Sequence, residues 1–343
     1  MGYTNASGWS WEKRSREEIA FRRNPPSSAT SVRAVFTRVS LHWGFTVRIP
    51  GASAAQLAVP IPPPTTIVGS LAAALYRGLG LKDYVERLPR ISSASRSLSR
   101  HFDCALRATL AAVAGLVPSS EYVGLCVHQE PSRLAAAPYK TGGSWDKAIK
   151  SSFGSADFYS KFLTEALPVQ AAGATYGPGA QIDMLWVFDV KALANCLCNV
   201  LGLVLGVEEL DHVGLVAAYG VTRVGSKEGL TSVDGAVYAK DGIKILFEGE
   251  VVKTHLYTPA SCVEPITKDI IRVSLWDINY SHSYYYIPGF SSGSVVSPAS
   301  PGREPRYRIM NGCVAYSISV PQDIVPVAGE ELVGIGVSYG GKG

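Results

Sequence analysis

Residues 60–75 read PIPPPTTIVGSLAAAL, a proline rod running into small and aliphatic residues. The three consecutive prolines Pro62 to Pro64 hold the chain extended, so a helix is expected to start where they end. Thr65 or Thr66 is expected to cap it, and Ile67 to Leu79 supply its body. Gly69 and Ser70 in the first turns are poor helix formers, which implies close packing or room for another group at the helix N-terminus.

Upstream, Ser31 to Val47 (SVRAVFTRVSLHWGFTV) sets Val32, Ala34 and Phe36 against Arg33, Val35 and Thr37, the period of two of a strand. Downstream the pattern loosens from Lys82 to Ala180, with a Ser/Arg-rich run, two short apolar strips and glycine turns. Gln181 to Asp189 (QIDMLWVFD) resumes as a strand. Val190 to Leu205 and Glu208 to Tyr219 predict two helices, and Leu230 to Tyr238 predicts another strand. Strand, helix, insertion, strand, helices, glycine loop and strand is an order compatible with an α+β, ferredoxin-like core carrying a long insertion. The expected division is a tail over 1–30, a discontinuous core over 31–81 and 181–240, an inserted region over 82–180, and a β-rich C-terminal lobe over 241–343.

A chain of 343 residues that is 47% hydrophobic buries a sizeable core, and its net charge of +4 does not by itself point to nucleic acid. The first 30 residues carry Trp9, Trp11 and several cations but lack the apolar centre of a secretory signal. The most apolar segment, Ala192 to Val207, contains Asn195 and Asn199 and falls short of the roughly 20 residues that span a bilayer. A cytoplasmic protein with no membrane partner is therefore expected. The six cysteines form no CxxC pair and are expected as buried small side chains in a reducing compartment. The six histidines make no zinc motif, so neither a metal nor a cofactor is expected.

Gly220 to Gly229 (GVTRVGSKEG) comes near the phosphate-binding pattern G-x-x-x-x-G-K-[ST] but reverses its last two residues. Ser226 precedes Lys227, and a β-branched run follows instead of a helix, so both the phosphate-reaching lysine and the magnesium-binding hydroxyl are misplaced. A glycine loop still exposes backbone N–H groups, and Arg223 and Lys227 flank Gly225 with two cations, which suits phosphodiesters. A surface turn with two solvated charges is the plainer reading of the same stretch.

Pro62-Pro-Pro-Thr-Thr-Ile-Val-Gly69 after a first strand, followed later by Arg223-Val-Gly-Ser-Lys-Glu-Gly229 before another strand, resembles the fifth CRISPR-associated (Cas) protein family, with the archaeal type I-A branch the nearest in pattern. The resemblance implies a ferredoxin-like (RRM-related, RAMP) core with an inserted thumb, which caps the crRNA 5′ end in a type I Cascade complex. It implies that Thr65, Thr66, Gly69, Arg223, Gly225, Ser226 and Lys227 face the 5′ handle of the RNA. The implied partners are crRNA, the backbone subunit of the seventh Cas family, the large subunit and target DNA.

Further basic candidates are Arg90, Arg96 and Arg100 in the Ser/Arg-rich run, Lys140 after Tyr139, and Arg306 and Arg308, with Tyr307 available to stack on a base. The run Tyr280 to Tyr286 (YSHSYYY) reads either as a stacking platform or, more commonly, as half-buried sheet packing. His42, His255 and His282 lie on or beside strand-like runs with no spacing that ties them together, so a non-catalytic role is expected. Two other activities fit parts of the sequence: a metal-independent precursor-crRNA endoribonuclease on the same fold, and a nucleotide hydrolase using the loop over 220–229.

Overall fold

Val32–Leu41 (β1) forms a central strand whose residues are almost all buried. The computed structural model describes residues 29–48, 56–81, 102–118, 124–134, 154–155, 169–201, 205–225, 229–300, 303–321 and 331–337. After β1 come Gly44–Phe45 (β2), Val47–Arg48 (β3), Gln56–Leu57 (β4), Thr109–Leu116 (β5), Leu125–Leu134 (β6), Val169–Tyr176 (β7), Gln181–Asp189 (β8) and Thr231–Ala239 (β9). The described residues also form the helices Pro64–Gly78 (α1), Val190–Leu201 (α2) and Val207–Tyr219 (α3), together with a short helical segment over 102–108. The protein is an α+β structure in which antiparallel pairing dominates.

Four strands form one sheet in the order β5-β8-β1-β9, and every neighbouring pair is antiparallel. Helix α1 lies in the connection from β1 to β5, and α2 and α3 lie in the connection from β8 to β9. α1 and α3 pack together: Gly78 meets Val213, and Gly220 meets Ala74. Thr37 Oγ1 donates to the Ala218 carbonyl at 3.0 Å, which fixes α3 over β1. The Tyr238 ring of β9 fills the space where a β-carbon on Gly214 would stand, so α3 approaches the sheet closely only because that position is glycine. Beside it, Arg33 forks onto the Asp211 carboxylate at 2.8 and 2.9 Å, and the Tyr238 hydroxyl donates to the same group at 2.5 Å.

Helix α1 begins one residue before the expected cap. Pro63 is its N-cap and Pro64 its first residue, so Thr65 and Thr66 sit inside the first turn and no side chain caps it. Proline suits this place because its φ is preset and the missing N–H would have had no helical partner. Ser70 turns its hydroxyl back onto the Thr66 carbonyl at 2.9 Å.

The strands that follow are Lys244–Leu246 (β10), Val251–Lys253 (β11), Thr258–Pro259 (β12), Val263–Pro265 (β13), Ile270–Trp276 (β14), His282–Pro288 (β15), Phe290–Ser292 (β16), Val295–Ser297 (β17), Arg306–Ile309 (β18), Cys313–Ser319 (β19) and Glu331–Val337 (β20), of which β20 lies over the sheet face opposite the helices. Strand β20 lies so close to the sheet that Gly334 faces Leu185 and Val113, while Gly336 faces the Leu110 carbonyl. Tyr257 donates its N–H to Ala114 at 2.8 Å and its hydroxyl to Pro62 at 3.2 Å, joining this layer to β5 and to the start of α1. Tyr257, Leu275, Ile287, Val296 and Tyr316 therefore belong to the same core as the helices, and a smaller cluster around Cys262, Tyr307 and Ile335 lies beside it. The described residues after 240 are mainly strands, and part of them packs into the core of the four-stranded sheet.

Within that interface lies a buried ion cluster. Arg38 reaches the Asp183 carboxylate through Nε at 2.7 Å and Nη2 at 2.8 Å, and His255 Nε2 lies 2.8 Å from the same carboxylate. Burial raises the Asp183 pKa, but the hydrogen bonds and charges of Arg38 and His255 outweigh it and hold the carboxyl below its ordinary range.

The β6–β7 hairpin stands between β5 and β8 in the chain, and β7 also pairs with β2 and β4. The expected inserted region over 82–180 therefore includes, at Thr109–Leu116, an edge strand of the four-stranded sheet. Four cysteines are paired, Cys104 with Cys196 and Cys262 with Cys313, which corrects the expectation of free buried thiols. Partners 92 and 51 residues apart leave no local spacing signal in the sequence. No helix among the described residues is long and apolar enough to cross a membrane.

Candidate nucleic-acid interface

The glycine loop leaves the C-terminus of α3 and folds back on itself before β9. Arg223 bridges to Leu230, and the Val224 N–H donates to Gly229 at 2.8 Å. Val221 and Val224 are buried and anchor it to the core, while Arg223 and Gly225 are exposed. Gly225 has φ +78° and lies against the Thr46 carbonyl so closely that a β-carbon would overlap it. The position needs glycine twice over, for the left-handed backbone and for the close approach.

The loop follows a helix and leads into a strand. A phosphate cradle of the strand–loop–helix type works because the helix N-terminus aims free N–H groups at the anion, and here it is a helix C-terminus that meets the loop. The near-match of residues 220–229 to that motif is thus not matched by its geometry.

Arg77, in the last turn of α1, holds the loop at its root. Its Nη2 donates to the Gly220 carbonyl at 2.9 Å, and its Nη1 lies 3.3 Å from Thr222 Oγ1. The His42 N–H donates to the Leu230 carbonyl at 3.1 Å, which sets the turn after β1 beside the loop. In that turn Trp43 is 69% exposed, and its carbonyl accepts from the Gly177 N–H. Tyr176, paired through its backbone with Gly44, is also exposed, and its ring lies 6.5 Å from that of His128. One corner of the molecule thus gathers cations (Arg77, Arg223), open aromatic faces (Trp43, Tyr176) and a backbone loop clamped against Thr46. Cations steer and hold a phosphate backbone, and exposed aromatic rings accept unstacked bases.

Of the residues at this corner, the sequence singles out Arg223 and Gly225 but not Arg77, Trp43 or Tyr176. Arg77 had a faint signal as a cation in the last turn of a helix, whereas Trp43 and Tyr176 lie on separate segments that only pairing of β2 with β7 unites.

The other predicted residues fall elsewhere. Thr65, Thr66 and Gly69 are half-buried, with the Phe102 ring 3.4 Å from where a β-carbon on Gly69 would stand. Pro64 lines a cleft of about 210 Å³ together with Ala112, Asn279 and Tyr285. α1 runs antiparallel to α3, with Gly78 against Val213 and Ala74 against Gly220. Ser226, Lys227, Arg90, Arg96, Arg100 and Lys140 lie outside the described residues. Arg306 and Arg308 are exposed on β18, where Arg308 pairs with Glu264 at 3.1 Å. Tyr307 between them is fully buried in the smaller core cluster and cannot stack on a base, which corrects that expectation. Its strand alternates inward and outward, so exposed arginines on both sides dictate an inward tyrosine.

The three histidines are engaged separately. His42 Nε2 lies 2.6 Å from Ser232 Oγ, His255 is held by Asp183, and His282 Nδ1 lies 3.0 Å from Ser274 Oγ.

No protein-family model and no curated protein matches the chain. Among solved structures it is similar to the crystal structure of a CRISPR protein from Archaeoglobus fulgidus, at 15% identity and a TM-score of 0.47, over 89% of this chain and 99% of that one.

Proposed function

We propose that the chain is a non-catalytic RNA-binding subunit of a type I CRISPR Cascade complex, built on a ferredoxin-like (RRM-related) core. It anchors the 5′ handle of crRNA at the corner formed by the glycine loop and the turn after β1. The observation that carries the RNA reading is the clamped loop itself: Gly225 locked on Thr46, with Arg223 and Trp43 exposed on either side. A backbone position held in place at Gly225 binds a phosphodiester without first losing conformational freedom there, and the corner's cations and rings address backbone and base separately.

The ferredoxin-like assignment is supported by the β-α-β-β-α-β succession and by the strand order β5-β8-β1-β9, which places the first and third core strands at the centre. In that scheme the β6–β7 hairpin is the inserted thumb, directed at the neighbouring backbone subunit, while the large subunit and target DNA meet the protein elsewhere. The separate engagement of His42, His255 and His282 favours binding over cleavage, because a metal-independent ribonuclease needs an acid and a base on one scissile phosphate.

Paired native and denaturing gels with end-labelled CRISPR repeat RNA, purified protein and EDTA test this reading. A shift without cleavage is expected. A single defined cut would overturn the non-catalytic role, and absence of any shift with the assembled complex would overturn handle binding.

A further inference from the structure

Strands β14 and β15 form an antiparallel hairpin whose two faces differ sharply. Leu275, Tyr285 and Ile287 point into the main core, where the Tyr285 ring meets Tyr257 edge-on at 5.2 Å between centroids. The register places Arg272 opposite Tyr286, Ser274 opposite Tyr284, and Trp276 opposite His282 on the other face. Tyr286 is partly covered by the smaller core cluster, while Arg272, Ser274, His282 and Tyr284 are exposed.

These side chains already meet in pairs. The Arg272 guanidinium carbon lies 4.0 Å from the Tyr284 ring centroid, and the half-buried Trp276 ring lies 3.7 Å from that of His282, centroid to centroid, at a tilt of 49°. No carboxylate occupies this face of the two strands. The acid at the turn between them, Asp277, is consumed by the Asn279 and Ser281 N–H groups and the Ser281 and Ser283 hydroxyls.

We propose that this face is a second nucleic-acid surface, on which two planar tiers, His282 beside Trp276 and Tyr284 under Arg272, take successive bases of a single strand. Same-face residues along a strand are about 7 Å apart, roughly twice the ~3.4 Å rise of stacked bases in a duplex. The tiers therefore suit splayed bases, each with its own planar partner, and aromatic and guanidinium planes both serve that purpose. Arg272, the one lysine or arginine of the two strands, suits a phosphate backbone, and Leu275, Tyr285 and Ile287 anchor the reverse face in the core. The surface shares no residue with the glycine loop, so it stands or falls independently of the handle-binding corner.

The test is fluorescence anisotropy with 12-nucleotide oligouridylate and oligodeoxythymidylate, binding to the full chain and to its Tyr284→Ala, Trp276→Leu and Arg223→Ala variants. Thermal melting of each variant confirms its fold. Stacking predicts that Tyr284→Ala weakens binding at least about fivefold, the low end of what one base–aromatic stack contributes, with RNA and DNA losing alike. Because Tyr284 is exposed, its removal is expected to leave the melting temperature unchanged. A loss confined to one oligonucleotide overturns the platform, because stacking on base faces is expected in both. Loss with Arg223→Ala alone overturns the platform and keeps the loop, and loss with Tyr284→Ala alone does the converse. Failure of the wild type to bind either oligonucleotide also overturns the platform, as would affinities for Tyr284→Ala and Trp276→Leu within about twofold of wild type, since either is less than one stack.

Discussion

Gly225 rests on the carbonyl oxygen of Thr46 with no room for a β-carbon between them, and through that contact the glycine loop is clamped to the turn after the central strand. A left-handed backbone disfavours any L side chain by about 1–2 kcal/mol, and the clash with Thr46 adds to it here. Gly242 has a similar φ of +73°, yet a β-carbon there would meet nothing within 4 Å. Gly242→Ala is therefore expected to cost about 1 kcal/mol in urea denaturation, and Gly225→Ala clearly more. Equal costs would show that Thr46 yields freely and that no clamp exists.

Arg77 is expected to order the loop from its root. Arg77→Ala removes the donors to Gly220 and Thr222, so the amides of Val224 and Thr231, which close the loop onto Gly229 and Thr222, should exchange hydrogen faster. Unchanged protection at both amides would mean that the loop holds itself.

Asp183 joins the sheet to the C-terminal layer as the common acceptor of Arg38 and His255. Its folded-state pKa lies below the unfolded value of about 3.9, so its contribution is full above that pH and is lost as the pH falls through the folded-state pKa. Asp183→Asn removes the buried carboxylate that Arg38 and His255 share and should cost about 3–5 kcal/mol at pH 7. The variant should also lose part of the wild type's decline in stability below pH 4. An unaltered acid limb would place that decline on other carboxylates.

The disulfide between Cys104 and Cys196 ties the segment before β5 to α2 across 92 residues. Reductant, or Cys104→Ser with Cys196→Ser, should lower stability by about 2–4 kcal/mol in denaturant titrations. A chain indifferent to reductant would refute the pairing.

Elements with strong local chemistry were legible in the sequence. Gln181–Asp189 is a strand over the expected residues, and α3 and β9 begin and end within a residue or so of the periodic runs. β5 escaped because both of its faces are covered, so TLAAVAGL shows no alternation and reads as a loose apolar strip. The start of α1 was misjudged because threonine caps were weighed above the proline at the first helical position. The candidate site was half legible: glycine and cations mark a loop locally, but Thr46, Trp43 and Tyr176 become its neighbours only through long-range pairing.

The most direct test of handle binding is the salt dependence of affinity for single-stranded CRISPR repeat RNA, measured for the wild type, Arg223→Ala and Trp43→Ala. Loss of one phosphate contact reduces the log–log slope by about 0.7, so Arg223→Ala should flatten it by that amount. Trp43→Ala should weaken binding with the slope unchanged, because stacking releases no counterions. A slope for Arg223→Ala equal to that of the wild type would contradict the assignment of the glycine loop as the RNA anchor.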